Sequence, residues 1–293
     1  TNIGGDAMKI GFFGAGKVAV SLGKYFKNNG LDIAGFYSKT FASTEFARDF
    51  TETNGYSDLE SFVLDCDIIF ITTNDDELVN GFNEISNFDL ENKIIVNTSG
   101  SYSSSIFSNA RKLGAFPYSL HPIYPFSDKE TSYKNLGQAV FTLEGAEEKL
   151  SLVKGLVEGC GNKVILMKGD KKTYHLACAM ASNLTLALLS LSSKYLQKVG
   201  FNEEDSIAAL RPLVESNINS IFDKGFVNSL TGPVVRGDVD TIEGHLSKLN
   251  ECDKEVYKRL SLELLDLSIE RNGLSNKYKK INSILGGNEN EKY

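Results

Sequence analysis

Residues 8–19, MKIGFFGAGKVA, join a short apolar run to a glycine-rich turn and to the start of an amphipathic helix. The apolar run ends at Gly14, and apolar residues then recur at helical spacing through Leu22 and Phe26. The turn has the pattern GxGxxA over residues 14–19. In such a strand–turn–helix unit the first glycine makes the tight turn, and the second lets the backbone approach a pyrophosphate. The stretch therefore predicts the first strand and helix of a sheet that binds a dinucleotide.

Strand and helix patterns continue to alternate up to about residue 145. Near-continuous apolar runs such as 67–73 and 93–99 are typical of parallel strands that are covered on both faces. Alternating strands and helices predict a doubly wound α/β domain. The predicted strands lie at 8–14, 33–38, 67–73, 93–99, 116–123 and 138–145, and the predicted helices at 16–29 and 41–50.

The pattern becomes almost entirely helical in the second half of the chain. One more helix at 148–160 and a short strand at 163–168 come first, and long helices follow at 170–199, 203–224, 239–250 and 253–272. The predicted fold class is therefore α/β, with an N-terminal doubly wound Rossmann domain followed by an all-helical C-terminal domain. We expect the NAD(P)-binding Rossmann domain at residues 8–146 and a mainly helical substrate and dimerisation domain at residues 147–285.

The composition limits the partners of the chain. Its 293 residues carry a net charge of −7, which argues against a nucleic-acid surface because such a surface needs clustered Lys and Arg. The four cysteines form no CxxC pair, which favours reduced thiols, a cytoplasmic protein and the absence of a metal site. No apolar run reaches the ~18 residues of a membrane span, so we expect no membrane contact.

The glycine-rich turn and the second strand predict the cofactor. The helix after the turn offers free backbone N–H groups to phosphates. An NAD site needs a carboxylate at the end of the second strand, but residues 36–40 read FYSKT. Ser38 and Lys39 suit a 2′-phosphate, which favours NADP(H). In the alternative, Lys39 is solvated and Asp32 holds the ribose of NAD, although Asp32 lies before the strand and not at its carboxyl end. The predicted cofactor-binding residues are Gly14, Ala15, Gly16, Lys17, Val18, Ser38, Lys39, Thr73, Asn74 and Ser99.

Two polar segments, residues 72–75 and 98–101, directly follow apolar strands. Ligands bind at the carboxyl ends of the strands in such sheets. We therefore expect Thr73, Asn74 and Ser99 to face the cofactor, with Ser99 also binding the substrate. The alternative is that both segments are ordinary turns.

The helix predicted over 170–199 carries polar residues on one side. Lys171 and His175 lie one turn apart, and Asn183 falls at the margin of the same stripe, because a helix advances ~100° per residue. Reduction of a ketone by hydride needs a proton donor at the developing alkoxide. Lys171 and His175 suit that catalytic role, and Asn183 suits the other polar end of a substrate. The alternative is a solvent-exposed lysine and a histidine satisfied in the core.

Two further groups complete the candidate site. His121, before a proline at the end of a predicted strand, either bonds the substrate or the cofactor ribose or is a structural turn residue. Residues 230–238, LTGPVVRGD, predict a rigid loop because they contain two glycines and a proline. Thr231 and Arg236 in this loop are candidate substrate-binding residues. Arg236 either clamps a carboxylate in a bidentate contact, or pairs with Asp238 or caps the C-terminus of a helix.

Five motifs together resemble a known group of proteins: GAGKVA, NTSGS, SLHPIYPF, KKTYHLACAMASN and LTGPVVRGDVDTIEGHL. They are similar to motifs of Rossmann-like oxidoreductases whose helical C-terminal domain was long described only as of unknown function. The wider superfamily includes pyrroline-5-carboxylate reductases, β-hydroxyacid dehydrogenases and ketopantoate reductases. The resemblance covers residues 8–275 and implies an NAD(P)H-dependent reductase. It also implies a homodimer, since helical second domains in this superfamily often dimerise.

Some members of this group are an alternative type of ketopantoate reductase. Ordinary ketopantoate reductases place a catalytic lysine at the start of a helix in the second domain, with asparagines one and two turns later. Lys171 matches that lysine, but His175 and Ala179 stand at the asparagine positions, and Asn183 comes a further turn on. This departure concerns the substrate rather than the hydride chemistry.

The sequence therefore predicts an enzyme in which NADPH reduces a small 2-oxo acid. The most specific expectation is reduction of 2-dehydropantoate (ketopantoate) to pantoate in pantothenate synthesis. An imine or β-hydroxyacid oxidoreductase is the alternative within the enzymes. A non-catalytic NADP sensor that signals through its helical domain is the alternative from another class.

Overall fold

The computed structural model describes residues 8–287. These residues divide into two compact units, the first ending at Thr185 and the second beginning at Leu186. The predicted domain boundary at residue 146 falls inside the first of these units.

The first unit is built on one eight-stranded sheet with the order β3-β2-β1-β4-β5-β6-β7-β8. Neighbouring strands are parallel except β6 and β7, which pair antiparallel. The order 3-2-1-4-5-6 defines the doubly wound dinucleotide-binding fold, so the predicted fold class is confirmed. The strands are β1 (Ile10–Phe13), β2 (Ile33–Tyr37), β3 (Asn54–Tyr56), β4 (Ile68–Ile71), β5 (Ile94–Asn97), β6 (Phe116–Ile123), β7 (Val140–Gly145) and β8 (Val164–Leu166).

Helices and their apolar residues cover both faces of this sheet. On one face Phe12 stacks between Phe36 and Phe70, with ring centroids 5.1 and 5.2 Å apart. On the other face Ile69 belongs to a separate buried cluster that includes Phe82. Burial on both faces is the physical reason for the continuous apolar strands. The helices of this unit before residue 170 are α1 (Lys17–Asn28), α2 (Phe41–Thr51), α3 (Leu59–Asp65), α4 (Leu78–Ile85) and α5 (Leu150–Gly159).

Residues beyond 146 belong to the first unit because they complete its sheet. β8 pairs with β7, and a buried hydrogen-bond network fastens the segment between them to α1. The Tyr25 hydroxyl donates to Oδ1 of Asn162 over 2.7 Å. The Asn162 amide in turn donates to the carbonyls of Leu136 and Ala139 over 2.7 and 2.9 Å. Leaving such buried groups without partners costs about 1–3 kcal/mol each, so this segment is tied to the sheet.

A long helical stretch spans Lys171–Gln197. It consists of α6 (Lys171–Ala179), a π-helical turn over Met180–Leu184, and α7 (Thr185–Gln197). By length and composition alone it could cross a membrane, since its most apolar window has a mean hydropathy of 1.5 and only 6% of that window is buried. The stretch is not an unbroken apolar run, which is why the sequence pattern did not single it out. Polar residues interrupt this stretch, but its many leucines and alanines keep the mean hydropathy high.

The second unit is helical and has a core of its own. Val234, Ile242, Leu265 and Ile281 are buried together. Four of its helices begin after a residue whose side chain accepts a hydrogen bond from the backbone of the first turn, as helix N-caps do. The helices are α8 (Glu203–Asn228), α9 (Pro233–Arg236), α10 (Val239–Lys248), α11 (Glu251–Asn272) and α12 (Asn276–Leu285).

Candidate functional site

The glycine turn after β1 has the geometry that its pattern predicts. Gly14 has a φ of +117°, and a methyl group on it would lie 2.8 Å from Oγ1 of Thr72. Gly16 precedes α1, no side chain caps this helix, and a methyl group on Gly16 would meet open space. The first N–H groups of α1 are therefore available to an anion.

A cavity of about 270 Å³ lies in front of this turn. In the part of the chain that the structure describes, the buried Oγ1 of Thr73 has no hydrogen-bond partner. An open glycine cradle and an orphaned buried hydroxyl fit the polar groups of a dinucleotide. Seven predicted cofactor residues line the cavity: Gly14, Ala15, Gly16, Ser38, Lys39, Thr73 and Asn74. Lys17 and Val18 open α1 beside it, whereas Ser99 does not line this cavity.

Lys39 is held by two carboxylates at the rim of the cavity. Its Nζ lies 2.7 Å from Oε1 of Glu84 and 3.8 Å from Oε2 of Glu77. These contacts, above all the hydrogen bond with Glu84, raise the pKa of the Lys39 ammonium. No carboxylate directly follows β2 in the sequence; Glu77, which was not predicted, follows β4 and lines the same cavity.

Lys171 lies buried beside the loop that follows β5. Its Nζ donates a hydrogen bond of 3.1 Å to the carbonyl oxygen of Ser99, and its side chain is 5% exposed. Burial lowers the pKa of the Lys171 ammonium to about 8, although Glu144 and Asp75 act in the opposite direction. Lys171 is thus a desolvated amine with a pKa close to neutral pH, an arrangement typical of functional sites.

The side chains of His121 and His175 flank Gly100, which lies in the loop after β5. A methyl group on Gly100 would lie 2.8 Å from Cδ2 of His175 and 3.1 Å from Nε2 of His121. Burial, followed by the charges of Lys171 and His175, lowers the pKa of His121 to about 4. His121 is therefore a neutral imidazole at neutral pH. Both rings can approach the loop only because Gly100 has no side chain.

Asn183 lies in the π-helical turn over Met180–Leu184. A π turn closes i→i+5 hydrogen bonds, so each residue advances by less than the ~100° of an α-helix. The turn therefore moves Asn183 closer to the His175 side than a regular helix would place it. His121, His175 and Asn183 line one cavity of about 530 Å³, whose other walls are mostly apolar.

The remaining predicted site residues occupy different surroundings. The Ser99 hydroxyl accepts hydrogen bonds from the backbone of Ser101 and Tyr102 over 2.9 and 3.1 Å. Ser99 therefore accepts the Lys171 hydrogen bond with its carbonyl oxygen, whereas its hydroxyl stabilises the conformation of the loop. Thr231 and Arg236 belong to the second unit. There Arg236 lies 3.8 Å from Asp238, the pairing that the sequence left open as an alternative.

Two residues of the site were not predicted as site residues from the sequence. The Tyr174 hydroxyl lies 2.6 Å from Nδ1 of His121 and accepts a hydrogen bond of 3.2 Å from Thr142. Gly100 provides the space for the two histidines. In the sequence Tyr174 falls on a neighbouring face of the helix, and no local pattern indicates that residues of β6 and β7 contact that face.

Comparison with known proteins agrees with this architecture. A Rossmann-like domain model matches residues 1–122, and the model described as Domain of unknown function (DUF2520) matches residues 139–264. The chain is thus a Rossmann-like protein with a helical C-terminal region. The predicted resemblance to Rossmann-like oxidoreductases with a helical C-terminal domain is confirmed. No curated protein matches the sequence significantly.

Solved structures share the fold over nearly the whole chain. Protein TM1727 from Thermotoga maritima is 25% identical, with a TM-score of 0.72 and coverage of 89% of this chain and 98% of that one. Pyrroline carboxylate reductase from Plasmodium falciparum, solved with NADP bound, is 14% identical, with a TM-score of 0.58 and coverage of 92% and 98%. A reductive aminase from Aspergillus terreus, solved with NADPH and ethyl-5-oxohexanoate, is 13% identical, with a TM-score of 0.58 and coverage of 96% and 92%.

The buried amine leads to a prediction about stability. Because the pKa of Lys171 is lowered from 10.5 to about 8, the unfolded state holds the proton more tightly than the folded state. Below pH 8 the folded protein therefore carries the full cost of a buried ammonium, and this cost disappears as the pH rises toward 10.5. We expect Lys171→Met to raise the free energy of unfolding at pH 7 by about 2 kcal/mol, and by less at pH 9.5.

Urea unfolding of the wild type and of Lys171→Met at both pH values measures this difference. Lys172→Met is the matched control, since Lys172 is exposed on the same helix turn, and it should change stability little. A Lys171→Met protein that is less stable than the wild type at pH 7 would contradict the expected cost of burial.

Proposed function

We propose that this protein is an NADPH-dependent reductase of a small molecule with a C=O or C=N group. The observation that carries the proposal is the buried Lys171 amine, which lies in the same compact unit as an open glycine turn. A group that donates a proton in a reductase works best with a pKa near the working pH. The NADP-bound and NADPH-bound proteins of the same fold support the choice of cofactor.

The residues of the glycine turn would hold the cofactor. The N–H groups that open α1 suit its pyrophosphate, the Thr73 hydroxyl suits a further polar group, and Lys39 with Ser38 suits the 2′-phosphate. When bound, NADPH supplies a hydride. These roles require only groups that the chain already presents at one cavity.

Lys171 would supply the proton that balances the hydride. At neutral pH its ammonium carries a proton, because its pKa of about 8 lies above 7. The Ser99 carbonyl accepts one of its hydrogens and fixes the direction of the amine. Donation of a proton to the substrate oxygen or nitrogen leaves a neutral amine, which a desolvated site favours. His175 would orient the same oxygen or nitrogen.

The substrate that we propose first is a 2-oxo acid, with ketopantoate as the specific case and reduction to pantoate as the reaction. Asn183 would bind its polar end, and Ser99 is a further candidate for binding its carboxylate. An imine is the alternative substrate class, supported by the pyrroline carboxylate reductase and the reductive aminase of the same fold. A β-hydroxyacid oxidoreductase remains a further alternative. NADPH oxidation with ketopantoate and with 1-pyrroline-5-carboxylate distinguishes these classes, and binding of NADPH without turnover of any of them would favour a sensor.

The role of Lys171 leads to a prediction about the rate. We expect Lys171→Ala to lower kcat/KM by about 10²–10⁴ because the proton donor is lost, while the Kd for NADPH stays the same. In the wild type kcat should fall above pH 8, as the amine loses its proton. A Lys171→Arg variant should be slower but lack this alkaline fall, because its guanidinium keeps its charge.

Steady-state NADPH oxidation across pH 6–10, with fluorescence titration of NADPH, measures both effects. Lys172→Ala is the control, since it removes an exposed lysine next to the site and should leave the rate unchanged. Full activity of Lys171→Ala would exclude this mechanism even if the protein binds NADPH.

The position of Lys39 leads to a prediction about cofactor choice. We expect Lys39→Ala to weaken NADPH binding by about 10-fold or more, the value of one charge-assisted hydrogen bond, and to leave NADH binding unchanged. Glu84→Gln, which frees Lys39 from its closer carboxylate, should change the preference in the opposite direction. Equal losses for both cofactors in Lys39→Ala would show that Lys39 does not bind the 2′-phosphate.

We also propose that the protein is a homodimer whose subunits cover exposed apolar side chains on the helices from α6 to α8. Leu186 is 67% exposed and Phe222 is 81% exposed. Large exposed apolar surfaces mark interaction sites. A bilayer is a poorer occupant than a second copy, because Lys171 at the start of the long helix is held against Ser99. Other exposed apolar residues on these helices are Leu176, Met180, Leu184, Leu188, Ile207, Leu213, Ile218 and Phe226.

Light scattering after size exclusion tests the dimer. We expect twice the chain mass of 32.2 kDa and a shift toward the single-chain mass in Leu186→Lys, because a buried lysine without a partner destabilises an interface. Leu64→Lys is the control, since Leu64 is equally exposed on α3 in the Rossmann unit. A wild-type protein of single-chain mass in buffer, or one that stays in solution only with detergent, would contradict the proposal.

A further inference from the structure

The hydroxyl of Tyr174 joins β7 to the half-buried imidazole of His121. Across the antiparallel pair of β6 and β7, His121 stands opposite Thr142. The Thr142 hydroxyl donates to Oη of Tyr174 over 3.2 Å, and this Oη lies 2.6 Å from Nδ1 of His121. The two rings meet edge to face at 86°. The three side chains therefore form one hydrogen-bonded row that ends at His121.

The direction of the hydrogen bonds in this row follows from the donor that begins it. Because Thr142 already supplies a hydrogen to Oη of Tyr174, the tyrosine's own hydrogen is free for Nδ1 of His121. Cys178 also lies near this hydroxyl, but sulfur is a weak acceptor compared with an imidazole nitrogen. Burial raises the pKa of Tyr174 to about 12, so the hydroxyl keeps its hydrogen at neutral pH.

The other ring nitrogen of His121 faces the functional loop. Nε2 lies toward Gly100, where a methyl group would approach it to 3.1 Å. Burial is the main reason for the lowered pKa of this imidazole, and the titratable groups that face it, Lys171 and His175 on α6, act in the same direction. The imidazole is consequently neutral and carries one hydrogen, whose position depends on the partner of Nδ1.

We propose that Tyr174 is a positioning residue that fixes the tautomer of His121. By donating to Nδ1, Tyr174 holds the hydrogen of the neutral imidazole on Nε2 and so presents an N–H donor to the loop at Gly100, where Lys171 binds the Ser99 carbonyl. The catalytic consequence rests on the proposed reductase function: this N–H stabilises negative charge on the substrate oxygen or nitrogen beside the Lys171 ammonium. The imidazole itself transfers no proton.

Nitrogen NMR of the histidines tests the tautomer without any substrate or cofactor. The chain has three histidines, so His175→Gln and His245→Gln variants assign the His121 signals of the full-length, histidine-labelled protein. At pH 7 we expect Nδ1 of His121 to show the shift of an unprotonated nitrogen and Nε2 that of a protonated one. A protonated Nδ1 would overturn the proposal.

Tyr174→Phe tests the donor, and the second unit offers a matched control. In Tyr174→Phe the Nδ1 signal should move and the tautomer should become mixed, because the phenyl ring packs but cannot donate. His245 has the same arrangement, with Nδ1 2.8 Å from the Tyr257 hydroxyl and ring planes at 88°. Tyr257→Phe should therefore change the signals of His245 and leave those of His121 unchanged. Unchanged His121 signals in Tyr174→Phe would overturn the proposal.

A milder variant and the kinetics complete the test. Thr142→Val removes only the donor to Tyr174 and should move the Nδ1 signal of His121 in the same direction by a smaller amount, which keeps the proposal testable if Tyr174→Phe fails to fold. With a turned-over substrate, Tyr174→Phe should lower kcat by roughly 10-fold with unchanged NADPH affinity and an unchanged alkaline fall in rate. Unchanged kcat would overturn the catalytic consequence, whereas the NMR result stands even if the protein reduces none of the compounds tested.

Discussion

The burial of one ammonium group against one backbone carbonyl determines how the site of this protein is arranged. Lys171 and Ser99 are 72 residues apart in sequence, and their hydrogen bond fixes the first turn of α6 against the loop after β5. Because α6 is regular from Lys171 to Ala179, fixing its first residue also fixes the positions of Tyr174 and His175. The desolvation that lowers the pKa of Lys171 is a consequence of this packing, and it is what gives the amine a chemistry different from that of a surface lysine.

Several groups in the first unit cost stability where they stand, and they lie near the two cavities. Lys171 is a buried amine, His121 is a neutral, half-buried imidazole, and the Thr73 hydroxyl lacks a partner among residues 8–287. A protein retains such groups where they serve a function and offsets their cost elsewhere. The offset here lies in the sheet, whose two faces are buried and whose far strands are fastened by the Tyr25–Asn162 network.

A neutral donor and a charged donor lie close together in this arrangement, and their difference has a physical origin. His121 belongs to a strand inside the sheet and lies half-buried beside a positive charge, so both desolvation and repulsion disfavour its charged form. Lys171 is buried too, but Glu144 and Asp75 partly support its charged form. The environment thus separates the protonation states of two basic side chains, which allows one to donate a proton and the other to donate only a hydrogen bond.

The sequence by itself determined the features that depend on local pattern: the GxGxxA turn, the buried parallel strands, the long helices and the placement of Lys171 and His175 on one helix side. These follow from periodicity and from the φ that only glycine tolerates easily, and both are properties of short segments. Short elements such as β3, α3 and α9, with three, seven and four residues, do not extend far enough to show a period in the sequence. Only the tertiary structure decided which partners meet: Glu84 with Lys39, Tyr174 with His121, β8 with β7, and Ser99 using its carbonyl rather than its hydroxyl. Such pairs are far apart in sequence, and their meeting depends on the order of the strands, while the π-helical turn before α7 decides where Asn183 lies. No residue pattern in this chain indicates either feature.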